Sequence, residues 1–248
     1  MITIKSKSEI EKMRLACKIT GDVLKEIEKH IKPGISTKQL DKIAHNYIVS
    51  RGATPSFLNY NGFPGSICAS PNDVVVHGIP SKEIVLAEGD IISIDVGAYI
   101  DGYHGDAART FAVGEISDEA KRLIEVTKQS FFEGIKYAAH GAKLGDVSAA
   151  IQEYVESNGY SVVRDLVGHG IGKNLHEDPN VPNFGKKGRG VKLAAGMTLA
   201  IEPMVNVGEY DVCVLEDDWT VVTEDGSLSA HYENTILITK DGCEILTL

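Results

Sequence analysis

The sequence predicts an α+β protein with a mostly antiparallel sheet, folded as one domain of two similar halves. Three observations carry this prediction. Two amphipathic helical patterns fill the first fifth of the chain, and a shift of 107 positions (127 minus 20) lays them on a second such region. The shift pairs Thr20 with Thr127, Gly34 with Gly141, Leu40 with Val147, Tyr47 with Tyr154, Ile48 with Val155 and Gly52 with Gly159. Between these regions a stretch from about Asp90 to Val113 reads as an antiparallel hairpin. No Pro/Ser-rich linker or charge run divides the halves, so residues 1–248 are expected to form a single domain without a hinge.

In chain order, Ser8 and Glu11 read as a capping box opening the first helix. Ile10, Met13, Cys17, Thr20, Leu24, Ile27 and Ile31 form its mainly apolar stripe, and Pro33-Gly34 ends it. A second helix starts near Ser36 or Thr37, carries Leu40, Ile43, Ala44, Tyr47 and Ile48, and stops at Gly52. Glycine-rich loop and short strands follow. In the hairpin, Ile92, Ile94 and Val96 alternate with Ser93, Asp95 and Gly97, which places Asp95 on the face away from the aliphatic core. With Asp101-Gly102 as a type I′ turn, Gly97 pairs with Asp106 and Asp95 with Ala108. Asp95 and Asp106 are then diagonal neighbours on one face, roughly 7–8 Å apart. Further strands are expected near 160–167, 197–205, 211–222 and 230–246.

Composition narrows the function. Apolar residues make up 43% and charged residues 24% of 248, the balance of a globular chain. A net charge of −10 disfavours a nucleic-acid surface. No run approaches the roughly 18 apolar residues of a membrane span, and the N-terminal MITIKSKSEIEKM has no signal-peptide core, so a cytoplasmic, membrane-free location is expected. Cys17, Cys68, Cys213 and Cys243 include no C-x-x-C pair and are expected to be buried or pocket-lining free thiols.

Two carboxylates as close as Asp95 and Asp106 repel unless a cation lies between them or one holds a proton. His104 shares their face but lies nearer the turn, where it is expected to be exposed or to stand behind them. The segment GHGIGKNLHEDP carries His169 and His176 among Gly168, Gly170 and Gly172. It is not a phosphate loop, because Asn174 follows Lys173 where Ser or Thr is needed. Glu202 ends the apolar run MTLAIEP, and Glu233 lies on a strand whose Ile236 and Ile238 face the other way. Each residue alone has an ordinary structural explanation. As a set, two Asp, two Glu and a His match a dinuclear divalent-metal site. Serine-hydrolase and mononuclear zincin motifs are absent.

The phrases NDVVVHGIP, SIDVGAYIDGYHGDAART, GHGIGKNLHEDP, IEPMVN and HYENTILIT, in this order over essentially the whole chain, resemble the type I methionine aminopeptidases of the short bacterial kind. The resemblance implies the pita-bread fold, a pseudo-symmetric single domain with a curved, mostly antiparallel sheet and outer helices. It implies that Asp95, Asp106, His169, Glu202 and Glu233 bind two divalent ions (Mn, Fe, Co or Zn), with Asp106 and Glu233 bridging. It assigns His77 to the scissile amide and His176 to the substrate carbonyl. A water between the ions, its pKa lowered from roughly 15.7 to about 7, would attack that carbonyl with Glu202 as proton shuttle.

The methionine pocket implied by the resemblance is lined by Phe57, Tyr60, Phe63, Cys68, His77, Leu175, His176 and Trp219. Phe57, Leu175 and Phe63 replace the cysteine, phenylalanine and tyrosine frequent in the family and so bear on pocket shape. Asn72, Val74 and Ser229 correspond to a monovalent-cation (Na or K) site of some members. The implied substrates are nascent polypeptide N-termini with a small second residue, met by a monomer in transient contact with the ribosome. A basic loop at Lys186, Lys187 and Arg189 is the candidate contact, against the plainer reading of a solvated loop. The shared metal set leaves prolidase-like enzymes and a binding protein with an inactive site as rivals; the former typically carry an added N-terminal domain, for which the early first helix leaves no room.

Overall fold

The computed structural model describes residues 1–248. Helix α1 (Lys7–Glu28) and helix α2 (Thr37–Ser50) precede strands β1 (Thr54–Pro55), β2 (Ile67–Pro71) and β3 (Val74–Val76), then the long hairpin β4 (Ile91–Ile100) and β5 (Tyr103–Ala112). The second half runs through α3 (Asp118–Ile135), α4 (Leu144–Ser157), β6 (Ser161–Val162), β7 (Gly168–Gly170), β8 (Glu177–Val181), β9 (Thr198–Ile201) and β10 (Met204–Asn206). It ends with β11 (Val212–Val214), β12 (Val221–Thr223), β13 (Ser229–His231), β14 (Asn234–Ile238) and β15 (Cys243–Ile245). Every strand pair is antiparallel.

The repeat is physical. Adding 107 to the bounds of α2 and β1 returns those of α4 and β6. The lone bridges Ser36–Val85 and Lys143–Lys192 obey the same shift. Thr20 and Thr127, both buried, donate their hydroxyls to the carbonyls four residues back, Ala16 and Leu123. Each half lays its helix pair over its strands. Val23, Ile27, Leu40 and Ile48 pack on Ile92, Ile94 and Val96, while Phe131, Val147 and Ile151 pack with Leu199, Ile201 and Ile236. Gly105 is where α1 crosses β5 most closely: a Cβ there would lie 2.7 Å from the Cys17 Cα.

The hairpin register is the expected one, with Ile100 opposite Tyr103, Gly97 opposite Asp106 and Asp95 opposite Ala108. Other expectations shift. Helix α1 is capped by Ser6 with Glu9, two residues before the expected box. Both tetrapeptides fit the pattern, but Lys5 N donates to Gly196 O (2.8 Å) and the Tyr103 hydroxyl to Glu9 (2.7 Å), which selects the earlier one. The helix ends at Glu28, and turns carry the chain to Pro33, since a residue before proline disfavours helix.

The strand expected at 160–167 shortens to β6, and 197–205 breaks at Glu202-Pro203 because proline cannot donate to a ladder. The histidine segment, expected as loop, supplies part of the antiparallel pair β7–β8. Cys17 and Cys68 are buried, but Cys213, on the outer strand β11, is exposed. No helix is long and apolar enough to cross a membrane.

Candidate active site

The four expected carboxylates and His169 converge on one cavity of about 790 Å³. The repeat explains part of this: 95 plus 107 is 202, so Asp95 and Glu202 hold the same place in the two halves, Asp95 inside β4 and Glu202 at the break between β9 and β10. Asp106 sits on the partner strand of Asp95. Glu233 immediately precedes β14, whose Ile236 and Ile238 turn into the core behind it. One ligand atom each from Asp106, His169 and Glu233 fall within 4.8 Å of one another. His169 Nε2 lies 3.7 Å from Asp106 and 3.6 Å from Glu202.

The electrostatics are those of a site made for cations. Asp106 and Glu233 are 4% and 1% exposed. Asp95 Oδ1, Asp106 Oδ1 and Glu233 Oε1 are buried without any hydrogen-bond partner. Burial pushes the Asp95 carboxyl up to about 7, and burial with mutual repulsion raises Asp106, Glu202 and Glu233 well above the usual carboxylate range. Arg109 is the cation that acts on Glu233 against this. Orphaned buried carboxylate oxygens beside an imidazole are the donor set of divalent metals, so these residues fit such ions.

The ligand histidine is prepared for the role. Its Nδ1 stands 2.9 Å from the Gly170 carbonyl, which leaves Nε2 facing the carboxylates. Burial, followed by the charge of His176, lowers its pKa to about 3, so the ring is neutral. Burial likewise lowers His77 and His176.

All eight expected pocket residues line the same cavity. Cys68 is the cross-strand partner of Asp95, so the apolar wall begins directly beside the carboxylates. The Phe63 and Trp219 rings meet edge-on at 5.2 Å, and His77 faces Trp219 at 6.4 Å. Gly97 admits Phe57: a Cβ there would approach its ring to 3.0 Å and Ser56 Cβ to 2.7 Å.

Asn72 and Ser229 lie together away from the cavity, Ser229 N donating to Asn72 O at 2.9 Å, while Val74 pairs with Val222. The Asn72 side chain is already engaged by Asp90 (2.9 Å) and by the Ile91 amide (3.1 Å). His104 is half-buried and outside the carboxylate set, with Nδ1 2.9 Å from Ser56 Oγ.

Sequence reasoning missed three residues. His231 is fully buried with Nε2 unpartnered, 3.9 Å from Glu202 Oε2. Asn183 Nδ2 donates to Glu202 O (3.0 Å), occupying the carbonyl at the strand break. Arg109 donates to the carbonyls of Ala108 (2.7 Å) and Glu233 and to Asn234 Oδ1 (2.7 Å), and lies 4.3 Å over the Tyr232 ring. His231 and Arg109 stood inside quoted motifs; Asn183 had no signal, because its contact depends on the fold.

The sequence matches Metallopeptidase family M24 over residues 11–240. It is 62% identical over 248 residues to a methionine aminopeptidase of Clostridium acetobutylicum, covering all of this chain and 99% of the relative. Among solved structures it resembles methionine aminopeptidase from Rickettsia prowazekii (48% identity, TM-score 0.98, all of both chains). It also resembles that from Thermotoga maritima (51% identity, TM-score 0.98, 100% and 99% of the two chains).

Proposed function

The chain belongs to metallopeptidase family M24 and, within it, to the bacterial type I methionine aminopeptidases with their pita-bread fold, and from this premise we propose how its residues do the work. It is a metal-using aminopeptidase that removes N-terminal methionine. In our reading its substrates are nascent polypeptides and peptides with a small second residue, and all of 1–248 is one catalytic domain.

The observation that carries the reading is the row of partnerless buried carboxylate oxygens beside an apolar, aromatic-walled cavity. Asp95, Asp106 and Glu233 would hold one divalent ion and Asp106, His169, Glu202 and Glu233 a second, drawn from Mn, Fe, Co or Zn. When bound, such ions acidify water and polarise a carbonyl.

The chain's own residues do the rest. Phe57, Phe63, Cys68, Leu175 and Trp219 receive the methionine side chain, a flexible thioether suited to aromatic contact. Tyr60, at the same rim, is hydrogen-bonded to His176 (2.8 Å). His77, opposite Trp219, contacts the scissile amide. His176 donates to the substrate carbonyl oxygen as charge develops on it. Glu202, between His169 and His231, takes the proton from the attacking water and passes it to the leaving nitrogen. The carboxylate floor draws the free amino group inward, which limits cleavage to the first residue. A monovalent cation, Na or K, would rest at Asn72, Val74 and Ser229. Lys186, Lys187 and Arg189 would serve a transient ribosome contact by a cytoplasmic monomer.

The test is the metal-stripped protein given Mn, Fe, Co or Zn one at a time, with Met-Ala-Ser and Ala-Pro peptides. Release of free methionine from the first alone is expected. If no metal restores that release, the proposal is wrong; cleavage of Ala-Pro would favour the prolidase-like rival.

A further inference from the structure

We infer that Tyr60 fixes the tautomer of His176, so that a proton on Nε2 faces the cavity where the adjacent His169 presents a lone pair. What that proton then does rests on the aminopeptidase reading above. The two imidazoles lie 4.2 Å apart between centroids. A neutral imidazole has one proton to place on its two nitrogens. The partner of Nδ1 decides where it goes.

At His169, Nδ1 faces the Gly170 carbonyl at 2.9 Å, an oxygen that can only accept, so the proton sits on Nδ1 and Nε2 carries the lone pair. At His176, Nδ1 faces the Tyr60 hydroxyl at 2.8 Å. That hydroxyl keeps its proton, its pKa raised by burial and then by Asp106, and makes no other hydrogen bond. A phenol donates better than it accepts, because its lone pairs are delocalised into the ring. Donation from Tyr60 to Nδ1 therefore satisfies both groups, and the His176 proton resides on Nε2.

The aim of Tyr60 is built in. A tight turn holds it, Tyr60 N donating to Phe57 O (2.9 Å) and Asn59 N to Phe63 O (2.8 Å). The turn uses left-handed backbone at Asn59 and Asn61, residues whose short polar side chains tolerate it. Its ring lies 5.3 Å from that of His176. Tyr60 is thus a positioning residue as well as part of the pocket wall. A peptide carbonyl gathering negative charge needs a donor, and a lone pair at Nε2 would repel it.

The test is a long-range nitrogen–proton correlation spectrum of the zinc-loaded protein with labelled histidine. His176 should show a protonated Nε2 and an acceptor-type Nδ1, and His169 a protonated Nδ1. A protonated Nδ1 on His176 overturns the inference without any variant. Tyr60→Phe, of nearly the same shape, should shift the His176 nitrogen signals and lower kcat on Met-Ala-Ser about tenfold to a hundredfold, with KM changed less than about threefold. Unchanged His176 signals and kcat in that variant remove Tyr60 from the positioning role. If the unsubstituted enzyme releases no methionine, the aminopeptidase reading fails, while the spectrum still decides the tautomer.

Discussion

The amides of Ala108 and Glu233 each donate to the other's carbonyl, at 3.4 and 2.9 Å, across the join between the two halves. On one side of this pair the Thr110 hydroxyl accepts from His231 N and donates to His231 O, both at 2.9 Å. On the other, the Thr235 hydroxyl accepts from Asp106 N (3.1 Å) and donates to Asp106 O (2.8 Å). The equivalences 106 with 231, 108 with 233 and 110 with 235 share one offset of 125, so the join has a local two-fold axis. That offset exceeds 107 by 18 residues, accommodated by the β11–β12 insertion between β10 and β13.

Thr110→Val and Thr235→Val each strip a hydroxyl from a buried amide and carbonyl and should each cost about 1–3 kcal/mol in urea unfolding. Only Thr235→Val touches Asp106, so calorimetric metal titration should weaken for that variant and not for Thr110→Val. Equal metal affinities would show that the bridge does not hold the carboxylate in place.

Arg109→Lys keeps the charge but loses the planar fork that reaches the Ala108 and Glu233 carbonyls and Asn234 at once. We expect a stability loss of about 2–3 kcal/mol, read from denaturant midpoints at unchanged slope. A variant as stable as the parent would mean that the fork is dispensable.

Lys5 and Glu177 form a buried pair, 5% and 8% exposed at the side chain and 2.7 Å apart, with Thr3 adding a 2.6 Å hydrogen bond. Burial pulls the Glu177 carboxyl up, but the Lys5 and Thr3 hydrogen bonds outweigh it and hold it below its usual value. Stability from this group is therefore complete above the unfolded pKa and lost as pH falls through the lower folded value. Lys5→Met should cost about 1–3 kcal/mol, since it leaves the carboxylate with only the Thr3 hydroxyl and the Asn174 amide. Melting curves from pH 6 to pH 3 should fall less steeply for Glu177→Gln than for the parent; parallel curves would refute the assignment.

Chelation should lower the melting temperature of the metal-loaded protein. Each site binds only the folded chain, so saturation to a hundred times its dissociation constant adds about 2.7 kcal/mol. Restoring Mn or Co to the stripped protein should recover the shift. An unchanged melting temperature would argue that the carboxylates are not metal ligands.

Glu202→Gln removes the proposed proton carrier and keeps the shape. Turnover should fall by about a hundredfold or more while KM for a methionyl peptide changes little. Activity equal to the parent would remove Glu202 from proton transfer.

Much of this was legible in one dimension because it depends on local period and local turns. The alternation through Asp95 and the Asp101-Gly102 turn set the hairpin register residue by residue, and the shift of 107 exposed the repeat from which Asp95 and Glu202 descend as equivalents. The α1 cap went astray because Ser6-Glu9 and Ser8-Glu11 are equally good locally. The histidine segment hid its strands because alternating glycines carry no apolar pattern for a sheet to show.

By itself the sequence determined the antiparallel α+β class, through local period and turn residues, and the residue types able to carry charge, metal and proton, while the family came from the resemblance of its motifs. The tertiary structure alone decided which groups lose water and which partners they meet. Arg109, on β5, and Asn183, in the loop after β8, reach the carbonyls of Glu233 and Glu202. His231 became a buried neighbour of Glu202, and Tyr60, 116 residues from His176, became its hydrogen-bond partner. Desolvation and hydrogen-bond pairing are properties of assembled surroundings, and no local pattern of residues contains them.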